Sequence, residues 1–221
     1  MRLAFGTYLS VPQPTANPLN RKMIGHRFQN DPENVLAACF GDELVGLNVL
    51  TVWGSFAFFG PLAVRPDVWD SNIGSRLVKE ALEVFARRGV KQLGLFTFPD
   101  SPKHLGLYHK FGFCSRFLTP LMDKKPSSSK EKVDFQTFSE LNPSERRIAL
   151  DELRSLSGEL FPGLDLSEEI TMTDKMRLGD TLIITEKSSR PAGFAICQSG
   201  PGTEAGGETV FGSILKTTAC Y

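Results

Sequence analysis

Val45 to Val64, VGLNVLTVWGSFAFFGPLAV, runs 20 residues without a charge. About 20 apolar residues suffice to cross a bilayer as a helix. The content of the stretch argues for a different structure. Asn48, Thr51, Ser55, three glycines and Pro61 interrupt it, and β-branched and aromatic residues dominate it. Gly54-Ser55 reads as a turn, so the stretch is expected to be two buried strands, 44–52 and 56–64, the second broken at Gly60-Pro61. No membrane partner is expected.

Strands at that position need helices or further strands to cover them. VLAACF (35–40) reads as a preceding strand. Ile73, Leu77, Ala81, Val84 and Phe85 share one face of a helix that closes with Arg87-Arg88-Gly89. QLGLFTF (92–98) reads as a strand. SPKHLGLYHKF (101–111) reads as a short helix with Ser101 as cap and Pro102 at its first position. FCSRFLTPLM (113–122) is expected to be a strand. DKKPSSSKEK (123–132) holds no apolar residue and reads as a linker between residues 1–122 and 133–221. Beyond it come a strand at 133–138, helices at 143–160 and 171–179, and strands at 181–186, 192–197 and 209–215, with a loop at 199–207. That order implies an α+β, mixed α/β class rather than even strand–helix alternation.

With 221 residues, 41% of them apolar, the chain can build such a core. Lys+Arg and Asp+Glu both number 25, which argues against a nucleic-acid partner held by phosphate neutralisation. The four cysteines (39, 114, 197, 220) form no CxxC pair and have no histidine at ligand spacing, so no metal is expected, and a reduced, cytoplasmic protein is the simplest reading. No signal peptide is visible. The motifs G-x-S-x-G and H-E-x-x-H are missing, which removes the common hydrolase readings.

The stretch between strand and helix, WDSNIGSR (69–76), carries chemistry. A helix N-terminus leaves about four N–H groups unpaired and about half a positive charge, and a phosphate satisfies both. Asn72 tolerates a left-handed backbone, Gly74 removes a side chain, Ser71 and Ser75 offer hydroxyls, and Arg76 is placed to reach an outer phosphate. Taken alone, the same turn also reads as an ordinary cap by Asp70 or Ser71, with Gly74 a packing contact and Arg76 solvated.

In company with LYHKFGF (107–113), however, the turn resembles the GNAT superfamily of acetyl-CoA-dependent N-acyltransferases. Trp69 to Gly74 align with that family's Arg/Gln-x-x-Gly-x-Gly/Ala pyrophosphate loop, Trp69 and Asn72 being departures from it. Leu107 to Phe113 match its Leu-Tyr-x-x-x-Gly-Phe ending. The resemblance covers about residues 34–122. It implies a mostly antiparallel sheet flanked by helices, with acetyl-CoA as co-substrate and an amine that attacks the thioester directly. Ser71, Asn72, Ile73, Gly74, Ser75 and Arg76 would hold the diphosphate, and Leu62, Ala63 and Val64 would pair with the pantetheine arm. A backbone N–H near Val64 would stabilise the oxyanion. Ser101 would touch the cofactor arm, Tyr108 would protonate the leaving thiolate, and His104 or an ordered water would serve as base where some members carry glutamate.

The aromatic run Trp53, Phe56, Phe58, Phe59, Phe96 and Phe98 is expected to be mostly core, with part of it lining an acceptor pocket. The acceptor that the resemblance implies would be a small-molecule or peptide amine. A non-catalytic CoA-binding or scaffolding relative stays open as a second reading. The family's first strand is expected to be missing before Met1. Residues 133–221 read as the opening half of a second GNAT-like domain, whose open sheet edge would pack on the first domain or form a homodimer.

Overall fold

The computed structural model describes residues 1–16, 22–116, 134–185 and 190–198. The uncharged stretch forms two strands, as its turn residues dictate. Val35–Phe40 (β1), Glu43–Trp53 (β2) and Phe56–Val64 (β3) build an antiparallel meander, and Gln92–Gly94 (β4) adds to β3 in parallel. Helices Arg2–Tyr8 (α1) and Lys22–Asn30 (α2) precede the sheet. Ile73–Arg87 (α3) lies on the sheet and buries all five apolar residues expected on its face. Leu50, Ala57 and Phe59 meet Val78, Ala81 and Phe85 in the core between them.

β4 is shorter than the expected 92–98. It pairs with Phe56, Ala57 and Phe58 and then stops. Beyond that point β3 meets Pro61, which has no N–H to donate, and its register against β2 shifts between Asn48 and Leu50. The two strands therefore part. Pro102–His109 (α4) follows, capped by Ser101 as its sequence demands. Residues 113–116 are not a strand, and 117–122 lie outside the described residues, as do the linker at 123–132 and the elements expected at 199–207 and 209–215.

The second sheet comprises Gln136–Thr137 (β5), Asp180–Thr185 (β6) and Pro191–Cys197 (β7), all antiparallel. β5 keeps two of the six expected residues, because Phe138–Glu140 tightens into a 3-10 turn. Pro143–Leu160 (α5) starts on a capping box between Asn142 and Glu145. The next helix is Ser167–Lys175 (α6) rather than 171–179. Glu168 and Glu169 suit its positive first turn, and Arg177, at φ 55, lies just beyond its end.

The two sheets meet at the tip of the β2–β3 hairpin. The Ser55 amide donates to the Gly163 carbonyl (2.8 Å), the Ser55 hydroxyl to Pro162 (2.6 Å) and the Asp165 amide to Trp53 (3.3 Å). Nearby, Glu169 is buried at 5% exposure and takes both guanidinium nitrogens of Arg27 (2.7 and 2.9 Å), the Trp53 indole (3.1 Å) and Gln198 (3.1 Å). Trp53, Phe56 and Phe58 cluster with one another, and Phe161 abuts Phe56, so this part of the aromatic run serves the junction. Phe59 is core, while Phe96 is 79% exposed.

Candidate functional site

Where β3 and β4 part, a cavity of about 520 Å³ opens between α1, the end of β3, the turn before α3 and the start of α4. That size falls in the range of small-molecule sites, about 300–1,000 Å³.

The turn takes the backbone that its residues allow. Asp70 and Asn72 have φ of 64 and 62, the left-handed region in which Asn and Asp are least costly. Asn72 is the N-cap of α3, and no side chain caps the helix there. Asn72, Ile73, Gly74 and Ser75 line the cavity; Ser71 and Arg76 do not. Arg76 keeps its side chain off the cavity wall. It is exposed, as is Ser71. An alanine Cβ at Gly74 would meet only Leu107 Cδ2, at 3.6 Å, so the glycine keeps open a space on the cavity wall that the protein itself does not fill.

Leu62, Ala63 and Val64 also line the cavity. The Arg65 amide bonds the Val45 carbonyl, so the alternation of an antiparallel ladder turns the amide groups of Val64 and Leu62 away from β2, toward the open side. Ala63 is turned to Leu47 instead, and its backbone is committed to the sheet. The Val64 carbonyl is already met by the Trp69 indole N–H at 2.8 Å. Trp69 thus braces the strand end beside the turn. Lys103 lies 5.4 Å above the Trp69 ring and 2.7 Å from the Asp70 carboxylate. Both partners of that ion pair are largely exposed, so it contributes little to stability.

On α4 the cavity face carries Lys103, Gly106, Leu107 and Lys110, the i, i+3, i+4, i+7 stripe. Ser101 and His104 complete it. His104 Nδ1 is 2.6 Å from the Ser101 hydroxyl, which also caps the helix. Burial holds the His104 pKa below its usual value; Lys103 lowers it further and Asp100 opposes them. Tyr108 does not line the cavity. It lies about 140° around α4 from Lys103, turned toward the core. At 7% exposure it packs in the core, its ring 5.9 Å from Phe59. Burial pushes its phenol up to about 12, against the lowering effect of Thr97.

Sequence reasoning missed one wall altogether. Ala4, Phe5 and Tyr8 of α1 line the cavity beside Phe98 and His104. Tyr8 is 4.9 Å from Phe98 and 5.0 Å, edge-on, from His104, and Phe5 is 6.5 Å from Phe98. The helical pair Phe5 and Tyr8, at i, i+3, was the available signal. Among the described residues, no group of three His, Cys, Asp or Glu side chains gathers as a metal would require. No helix among them is long and apolar enough to cross a membrane.

A mixed, mostly antiparallel sheet whose strands part beside an uncapped helix start defines a class of ligand-holding α+β protein. Residues 5–113 match the acetyltransferase (GNAT) family, and the chain belongs to the GNAT superfamily. A candidate acetyltransferase from Pyrococcus horikoshii shares the fold, at TM-score 0.55 and 17% identity over 86% of this chain and 60% of that one. A transcriptional regulator from Bacillus halodurans C-125 aligns at TM-score 0.38 and 26% identity, over 40% of this chain and 63% of that one. An acetyltransferase from Trypanosoma brucei aligns at TM-score 0.41 and 18% identity, over 56% and 93% of the two chains. The chain thus spans less than two thirds of the Pyrococcus and Bacillus proteins. No curated protein sequence matches it.

Proposed function

We propose that the chain transfers an acetyl group from acetyl-CoA to an amine. The observation that carries this reading is the uncapped α3 start opening into the cavity at the point where β3 loses β4. The cavity residues fit the cofactor's chemistry. The first amides of α3, from Ile73 to Ser75, need acceptors, and a diphosphate supplies them. Lys103 and Lys110 add positive charge on the facing helix. The free amide groups of Leu62 and Val64 suit an extended arm laid along the strand edge.

When bound, acetyl-CoA supplies an activated acyl group on a thioester. The chain's residues then have three tasks. The Val64 N–H, turned to the open side, stabilises the oxyanion. His104, whose pKa burial lowers, has Nδ1 2.6 Å from the Ser101 hydroxyl, and the tautomer protonated at Nδ1 would leave Nε2 a lone pair to receive the amine's proton. Tyr108, kept protonated by burial, stands behind the cavity wall in the core, and His104 passes the amine's proton on to the departing sulfur. The acceptor amine, small-molecule or peptide, enters from the α1 side. Titration calorimetry with CoA, followed by thiol release from acetyl-CoA across an amine panel, tests the reading. CoA binding without thiol release would favour a non-catalytic binder, and no CoA binding would end both.

A further inference from the structure

We infer that the acceptor is a primary amine carried on an aromatic group, bound in the ring cluster of Phe5, Tyr8 and Phe98. This rests on the acyl-transfer reading above and adds the substrate class. Tyr8 and Phe98 stand 4.9 Å apart, and His104 closes the cluster edge-on to Tyr8 at 5.0 Å. The rings are partly buried and line the cavity, so a flat apolar group entering there gains contact on several sides.

Charge points the same way. Among the described residues, Asp70 is the one carboxylate on the cavity wall, and Lys103 holds it at 2.7 Å. Lys103 and Lys110 leave the wall positive. A polyamine would bring several cations to a surface with no free anion, whereas an arylalkylamine brings one nitrogen. Desolvation by the rings disfavours the ammonium form of that nitrogen, which is the form that cannot attack. In the transfer itself the nitrogen–carbon bond forms and the carbon–sulfur bond breaks, its electron pair leaving on sulfur. The nitrogen's proton goes to His104 Nε2, which returns it to the sulfur.

The test titrates the full chain with phenethylamine, spermidine and the dipeptide Phe-Ala, each with and without CoA, and measures thiol release from acetyl-CoA with the same three. Phenethylamine or Phe-Ala is expected to bind at least tenfold tighter than spermidine; which of the two wins separates a free amine from a peptide N-terminus. Phe98→Ala should weaken the aromatic ligand about three- to tenfold and leave CoA affinity unchanged. Phe98→Leu, which keeps the volume, should weaken it in the same direction. Spermidine binding equally or better, or no aromatic ligand binding to protein that binds CoA, overturns the inference. Aromatic binding to protein that fails to bind CoA would uphold the ring subsite and remove the acyl-transfer reading instead.

Discussion

Replacing Gly74 with alanine should move stability and cofactor affinity in opposite directions. The residue is the second of α3, and glycine in a helix costs about 0.5–1 kcal/mol relative to alanine. The new Cβ would stand 3.6 Å from Leu107 Cδ2, an ordinary contact, so nothing in the free protein resists it. Thermal unfolding should therefore hold or rise, by about 1–4 °C for a chain of this size. The same methyl would stand on the cavity wall where the first amides of α3 must approach a diphosphate. Losing one hydrogen bond to a charged group costs about 1.5–3 kcal/mol, or about ten- to a hundredfold in Kd. Calorimetry with CoA measures the second effect and a melting curve the first. An unchanged or raised Tm with a CoA Kd within twofold of wild type would refute the assignment of this turn.

Four further outcomes follow from the fold. The kcat/KM profile should fall as pH drops through a value below the ordinary histidine pKa of about 6.5, because His104 must be neutral to accept a proton and burial lowers its pKa. Lys103→Met should move that acid limb upward by removing a repelling charge, and a limb that stays put would separate Lys103 from the base. Tyr108→Phe should leave kcat and CoA affinity nearly unchanged, because the phenol lies behind the cavity wall; a kcat cut more than tenfold would return Tyr108 to the proton transfer. Gly54→Ala should cost more than about 2 kcal/mol, since Gly54 has φ 63 and its Cβ would collide with the Gly163 oxygen. A denaturation midpoint equal to wild type would disprove that contact.

The sheet and α3 were legible because their signals are local. Turn glycines divide the uncharged stretch into β2 and β3, and the 3.6-residue period marks the buried face of α3. The end of β4 was not legible, because it depends on when β3 withdraws as a partner rather than on β4's own residues. The turn at 69–76 was legible in part. Asn72 adopts the positive φ that its type allows, but which of residues 71–76 face the cavity is settled only by how the turn packs against its neighbours. Ser71 and Arg76 are exposed and off the wall. Trp69 looked like a lost basic residue, whereas the fold uses its indole N–H on Val64. The α1 wall was missed because Tyr8 and Phe98 meet only through tertiary packing.

The glycine contact at the hairpin tip ties the two halves of the chain in heredity as well as in space. Gly54 sits against the Gly163 oxygen, and a Cβ on Gly163 would strike the Ser55 hydroxyl at 2.7 Å. Neither position tolerates a drifting side chain while the other keeps its place. Ser55 and Pro162, 107 positions apart in sequence, belong to this same lock. Recombination that swaps one half for a distant cousin's must carry both keys or leave the tip of the cavity-bearing hairpin without its seat.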